Sequence, residues 1–209
     1  MRLILASTSP RRKEILSLLG LSFEVIPPDF DETVSSHLSI DDEVLDFAVG
    51  KARSVAVTKP DSIVVGSDTM IFLGGVKIGK PVDENDAKRV LRLLSGKTHL
   101  IYNSVAIIDN CGGPGLQAIE QVTVDMRPYG EGEIESYLGC NESMDKAGAY
   151  SIQGEGRKLI ASIQGDYLAA VGMPLRPIAQ YLQSRGETLP VDIDRLYAQR
   201  NFLNWRSLG

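Results

Sequence analysis

The sequence predicts an α/β or α+β domain built around a mostly central sheet. Short apolar runs alternate with segments whose apolar residues recur at helical spacing. The chain has 209 residues. That length suits one large domain or one domain with two lobes, and lets about 70% of the unfolded chain's surface be buried without a disulfide or metal staple. A composition of 43% hydrophobic and 23% charged residues excludes a disordered chain.

The elements follow in order. Residues 3–6 are an apolar run that reads as a buried strand. They feed Ser7-Thr8-Ser9-Pro10, where Ser9 suits an N-cap and Pro10 the first helical position. Ile15, Leu16 and Leu19 give that helix its buried face, and Gly20 closes it. Phe23 and Val25 mark a second strand, stopped by Pro27-Pro28 and followed by an acidic loop over 29–33. Ser39 opens a longer helix, with Asp42 three residues on as a weak capping box. Residues 63–65 read as a compact buried strand that delivers Gly66-Ser67-Asp68-Thr69 at its C-terminal end. Residues 70–73 and 76–78 form a hairpin pattern around Gly74-Gly75, which supplies the positive φ of a tight turn. Asp83 caps a helix carrying Ala87, Val90, Leu91 and Leu94. Residues 99–109 and 116–126 alternate as long strands. A short helix near 131–138, a strand over 159–163 and an amphipathic helix over 174–182 complete the domain. The segment 185–209 is polar and weakly patterned.

Several function classes drop out. A net charge of −5 argues against broad nucleic-acid binding, which leaves a basic footprint. The two cysteines, Cys111 and Cys140, form no CxxC, which excludes a zinc ribbon or a redox dithiol; they read as partly buried spectators. His37 and His99 are the only histidines, so a three-His zinc site is impossible. The apolar start is too short for a signal peptide, and no run approaches the ~18 residues of a membrane span. With two thiols and no secretory segment, a reducing cytoplasm is expected.

Four groups of residues carry chemistry. Ser7, Thr8, Ser9, Arg11 and Arg12 stand at a predicted helix N-terminus, where unpaired N–H groups, hydroxyls and two cations suit a polyphosphate. No Walker A spacing is present, and the competing reading is an ordinary capped helix with solvated arginines. Asp29, Asp31, Glu32 and Asp68 are carboxylates in loops or at a strand end, the donors Mg²⁺ prefers beside substrate phosphates; a turn-forming Asp68 and a solvated loop are the alternatives. Lys51, Lys80 and Lys146 sit in tight contexts, against which stands the reading of surface lysines. Gln153 precedes a glycine-rich bend and offers an amide donor and acceptor, or else braces the loop.

These pieces resemble the Maf family of nucleoside triphosphate pyrophosphatases, once described as septum-formation inhibitors. The opening Leu5-Ala6-Ser7-Thr8-Ser9-Pro10-Arg11-Arg12 is similar to the family signature. Asp31-Glu32-Thr33, Lys51-Ala52, Gly66-Ser67-Asp68-Thr69, Gly79-Lys80-Pro81 and the run from Leu94 to His99 come in family order. Asp145-Lys146-Ala147-Gly148-Ala149-Tyr150, Ile152-Gln153-Gly154 and Val171-Gly172-Met173-Pro174-Leu175 complete it. The resemblance covers roughly residues 2–184, which sets a nucleotide pyrophosphatase domain at 1–184 and a tail of open role at 185–209.

It implies a mixed, elongated central sheet flanked by helices, with two lobes around a cleft, similar to the inosine triphosphatase group. It implies hydrolysis of a nucleoside triphosphate to the monophosphate and pyrophosphate with a divalent metal, Mg²⁺ or Mn²⁺, in a house-cleaning or division-linked role. By residue-by-residue transfer, Asp68 is the proton acceptor and, with Glu32, a metal ligand. Ser7, Arg11, Arg12, Lys51 and Lys80 match phosphate-handling positions. Arg11, Thr69 and Gln153 match positions that mark the subfamily acting on dTTP and UTP. The sister subfamily, which prefers 7-methyl-GTP, carries an acidic residue at the Gln153 position and is the alternative enzyme. A nucleotide-binding septation regulator with little turnover is the alternative outside enzymes. The implied partner is a small nucleotide, with no nucleic acid and no membrane, and a homodimer is allowed.

Overall fold

The computed structural model describes residues 2–35 and 37–199. Among them run β1 (Arg2–Ala6), α1 (Pro10–Ser17), β2 (Glu24–Ile26), α2 (Ile40–Ala56), β3 (Ser62–Leu73), β4 (Val76–Ile78) and α3 (Glu84–Leu94). Then come β5 (Thr98–Asp109), β6 (Leu116–Met126), α4 (Glu131–Leu138), β7 (Ile160–Gln164), α5 (Tyr167–Val171), α6 (Leu175–Ser184) and α7 (Ile193–Gln199). The strands form one seven-stranded sheet in the order β2-β1-β3-β5-β6-β7, with β4 on β3. β1 pairs parallel with β2 and with β3, whereas β3–β4 and β6–β7 are antiparallel, so the sheet is mixed as expected. β1 is buried over Leu3–Ala6 because a strand paired on both sides and covered on both faces reads as a continuous apolar run.

The chain divides into two compact units, one of residues 2–69, Asn103–Glu120 and Gly172–Gln199, the other of Met70–Tyr102 and Gln121–Val171. In the first unit, Ile4, Ala6 and Val64 of the sheet pack with Ala52, Val55 and Ala56 of α2. Gly66 makes a close approach possible there: a Cβ at that position would lie 2.3 Å from the Ala48 carbonyl oxygen and 2.8 Å from the Ala52 nitrogen. Near the end of β5, the fully buried Asp109 carboxylate accepts from Tyr181 Oη at 2.7 Å and from the Cys111 N–H at 2.7 Å, and pairs with Arg185 Nε at 2.8 Å. The 185–199 stretch, expected as polar and weakly patterned, is therefore tied in through Arg185 and carries α7, whose Asp194 pairs with Arg176 at 2.5 Å. Residues 200–209 of the expected tail lie outside the described residues.

In the second unit, α3 packs with α4 and with a 3-10 turn at Ala147–Ala149. His99 is buried, with Nε2 2.8 Å from Tyr150 Oη. Gly74 and Gly75 both have positive φ in the β3–β4 turn, as the hairpin pattern predicts.

The structure corrects some expectations. β3 does not stop at Val65; it runs unbroken to Leu73, so Gly66–Thr69 lie mid-strand. Ser67, Asp68 and Thr69 find side-chain partners there, so their polarity does not end the strand. Ser9 is extended at the start of α1 but makes no side-chain cap; Ser7 Oγ instead accepts the Ser9 N–H at 3.0 Å. The α-helical part of α1 ends at Ser17, but tighter turns carry it on to Gly20, whose φ of +69° closes it as expected. The short α5 and α7 were not predicted: five and seven residues are too few to show a helical period. Both cysteines are free and exposed rather than partly buried. No described helix is long and apolar enough to cross a membrane.

Candidate active site

α2 and β3 together bring charged side chains into the interior of the first unit. Ser39 Oγ caps α2 by accepting the Asp42 N–H at 3.1 Å, and Asp41, Asp42 and Glu43 oppose the positive end of its dipole. The inward face of this helix includes Phe47, Ala48, Ala52 and Val55, and Lys51 falls on that same face, only 4% exposed. A buried ammonium must be paired. Lys51 Nζ lies 2.6 Å from Asp68 Oδ1 on β3 and 2.6 Å from Glu32 Oε1 in the acidic loop. Asp68 is 5% exposed.

The loop that carries Glu32 has no regular structure, yet it is anchored two residues away. The Phe30 ring packs edge-on against Phe47 with centroids 5.8 Å apart. It also covers Gly50, where a Cβ would fall 2.1 Å from a ring carbon. The missing side chain at 50 is thus the seat for Phe30, one position before Lys51. Asp31, by contrast, is exposed and accepts from Thr33 Oγ1 at 3.1 Å, a local turn contact.

A second network adjoins the first along β3. Arg12 Nη2 donates to Thr69 Oγ1 at 3.1 Å and its Nε donates to the Gly172 carbonyl at 3.0 Å. Asn103 Nδ2 donates to the same Thr69 oxygen at 2.7 Å. Ser67 Oγ lies within donating distance of Asn103 Oδ1 at 3.2 Å and of the Gly172 carbonyl at 3.3 Å. Ser7 is buried, and its N–H donates to the Ile26 carbonyl at 3.2 Å. Arg11, half-buried, shares the first turn of α1 with Arg12.

Electrostatics set Asp68 apart. Burial pushes its carboxyl above the usual carboxylate range, and the opposing pull of Lys51 and Arg12 does not cancel that push. Burial likewise holds the Arg12 guanidinium below its ordinary value, against Asp68 and Glu32, which raise it. A carboxylate with raised proton affinity, held by a lysine and close to an arginine, is suited to take a proton from a reacting group.

Of the residues predicted from sequence, the structure brings Glu32, Lys51 and Asp68 into one contact set and joins Arg12 to Thr69. Lys80 and Gln153 belong to the second unit. Lys80 is exposed in the turn after β4, where the Gly79 carbonyl accepts the Gly148 N–H at 3.0 Å. Gln153 is half-buried and extended, at the entrance to a 3-10 turn over Gly154–Leu159. Lys146 is used locally, donating to the Glu142 carbonyl and pairing with Asp145, both at 2.6 Å. Sequence reasoning missed Phe30, Gly50, Asn103 and the Gly172 carbonyl. Asn103 had a signal: it shares its side of β5 with Ile101, Val105 and Ile107, all buried. A polar residue in such a row needs a partner.

The donor chemistry fits a hard divalent cation. Glu32 and Asp68 converge on a single ammonium, and two carboxylate donors completed by water and phosphate oxygens are what Mg²⁺ takes. Among the described residues no group of three or more His, Cys, Asp and Glu forms an all-protein cage.

Comparison with known proteins gives consistent matches. The family described as Maf-like protein matches residues 2–185. The dTTP/UTP pyrophosphatase of Moorella thermoacetica is 42% identical over 181 residues, which is 87% of this chain and 93% of that protein. A dTTP/UTP pyrophosphatase of Bacillus cereus is 42% identical over 182 residues, 87% of this chain and 94% of that protein. Among solved structures, the Staphylococcus aureus Ham1 protein matches 88% of this chain and 100% of its own at 14% identity and a TM-score of 0.47.

Proposed function

The chain belongs to the Maf-like family, and from that membership we propose a nucleoside triphosphate pyrophosphatase that hydrolyses dTTP and UTP to the monophosphate and pyrophosphate. The relatives named dTTP/UTP pyrophosphatase support the substrate, and the two free thiols are consistent with the cytoplasm as its compartment. The observation that carries the chemistry is the buried Lys51–Asp68 pair, to which the exposed Glu32 adds a second carboxylate on the same ammonium.

Attack of water on the α-phosphorus forms one P–O bond and breaks the α–β bridge, so negative charge grows on the α-phosphoryl oxygens and on departing pyrophosphate. Such a reaction is accelerated chiefly by positioning and by fixed positive charge. Asp68 takes the proton of the attacking water, a role its raised proton affinity suits. Lys51 fixes the Asp68 carboxylate through Oδ1 and holds Glu32 beside it. Arg11 and Arg12 bind phosphoryl oxygens, with Arg12 pre-oriented by Thr69 and Gly172, and Ser7 shapes the turn before them. Lys80 supplies a further cation. A divalent cation, Mg²⁺ or Mn²⁺, held by Glu32 and Asp68 would neutralise phosphate charge and lower the pKa of water. Gln153 reads the base: uracil and thymine present an N3–H donor between carbonyl acceptors, a pairing that one amide satisfies and a carboxylate does not.

The test is a product analysis of pure protein with dTTP, UTP and 7-methyl-GTP, in Mg²⁺, in Mn²⁺ and in chelator. The expected result is metal-dependent release of pyrophosphate, fastest with dTTP and UTP. Orthophosphate and a nucleoside diphosphate as first products would refute the bond assignment, and a preference for 7-methyl-GTP would refute the base assignment.

A further inference from the structure

The bend that carries Gln153 is held by a carboxylate that the mechanism above does not use. Glu142 lies in the turn between α4 and the 3-10 turn at Ala147–Ala149. Its carboxylate oxygens accept the Glu155 N–H at 3.1 and 3.3 Å, and Oε2 accepts the Gly156 N–H at 3.4 Å. These are the first donors beyond Gln153-Gly154. Gly154 has φ +69°, and a Cβ there would sit 2.3 Å from Glu142 Oε1 and 2.9 Å from its carboxyl carbon. The acid is thus packed onto the backbone at the point where the chain leaves Gln153.

The other side of the bend is also fixed. Tyr137 Oη accepts the Ser151 N–H at 2.9 Å. Gly156 presses on Ser151, where a Cβ would come within 2.4 Å of the Ser151 oxygen. Glu142 itself is braced, because Lys146 Nζ donates to its carbonyl at 2.6 Å. Residues 151–156 therefore form a loop clamped at both ends, with Gln153 between the clamps.

We propose that Glu142 is a positioning residue for base choice: by gathering the N–H groups of Glu155 and Gly156 it fixes the backbone from which the Gln153 amide projects. This rests on the reading that Gln153 meets the base. Glu142 touches no substrate, so its loss misplaces the amide and leaves the phosphate chemistry of Asp68 and Lys51 in place. In Glu142→Gln one oxygen still accepts, but the new amide N–H₂ faces backbone donors and the clamp loosens.

The experiment measures kcat and KM for dTTP and 7-methyl-GTP on wild type, Glu142→Gln, Gln153→Ala and the double variant, with melting temperatures alongside. Glu142→Gln is expected to lower the dTTP to 7-methyl-GTP ratio of kcat/KM by about 5- to 50-fold, mainly through KM for dTTP, as a misplaced polar contact should. In the Gln153→Ala background the same change should leave the ratio within about twofold, since the group it positions is gone. Glu142→Asp, which keeps the charge, should restore part of the ratio. A ratio unchanged in Gln153→Ala refutes the reading of Gln153 itself. A ratio that falls in Gln153→Ala but holds in Glu142→Gln overturns the role given to Glu142 alone. Should Glu142→Gln not fold, Glu142→Asp, whose shorter arm reaches the Glu155 and Gly156 N–H groups less well, carries the same readout. Equal losses on both substrates in that variant overturn the proposal.

Discussion

Gly66→Ala tests whether the distance between α2 and β3 sets the chemistry. A Cβ at 66 would lie 2.3 Å from the Ala48 carbonyl oxygen, 2.8 Å from the Ala52 nitrogen and 3.0 Å from the Ala52 Cβ. A carbon normally approaches a carbonyl oxygen to about 3.3 Å. The shortfall is about 1 Å, and the atoms in the way are helix backbone, which cannot rotate aside. α2 must therefore move off β3 by about that amount. Lys51 rides on α2 and Asp68 on β3, so their 2.6 Å contact opens to about 3.6 Å, beyond hydrogen-bond range. Overpacking of this kind costs about 1–3 kcal/mol. A 1 Å misplacement in a catalytic set costs about 10²-fold in rate. The assay is kcat/KM for dTTP beside a thermal melt, with Gly132→Ala on the exposed side of α4 as control, since a Cβ there meets nothing within 4 Å and the backbone needs no positive φ. If Gly66→Ala keeps wild-type activity within about twofold, the helix yields without moving Lys51, and the argument that backbone spacing sets the site is wrong.

Two further outcomes are expected. Asp68→Asn should leave the fold intact by circular dichroism and lower kcat for dTTP by at least about 10²-fold, the loss expected for a missing general base; near-full turnover would make Asp68 structural. His99 is held down from 6.5 to about 4 by burial, against a smaller upward pull from Asp125. Its neutral form is the one the folded state favours, so the stability it contributes is complete above pH 6.5 and is lost as pH falls toward about 4. The loss amounts to about 3 kcal/mol, and urea unfolding of wild type and His99→Gln between pH 7.5 and 4 should show it in wild type only.

Local signals carried much of the fold. Ser39 and Asp83 cap α2 and α3 with the predicted side-chain bonds, because a cap is decided within four residues of chain. Gly74-Gly75 makes its turn for the same reason. The extent of β3 was not legible. Ser67, Asp68 and Thr69 look like a strand end until Asn103 and Lys51, on other elements, satisfy them. In the site, Lys51 looked like one surface lysine among several, and only its burial between Glu32 and Asp68 distinguishes it from Lys146. Phe30 and Gly50 show nothing individually; their meaning is a shape fit between a loop and a helix, which no spacing rule encodes.

The three-segment make-up of the first unit bears on biosynthesis. Arg12 and the Gly172 carbonyl that receives its Nε are 160 positions apart. At ~5–20 residues per second, roughly 8–32 s separate their synthesis on the ribosome. Lys51 and Asp68, only 17 positions apart, can meet early, while the arginine network waits for the last stretch of the unit to arrive. That stretch also brings Met173, Leu175, Ile178 and Leu182, all fully buried in the finished protein. A nascent or truncated chain ending before Gly172 therefore leaves their packing partners uncovered. The arginine network is thus completed only when the last segment of the unit has been made.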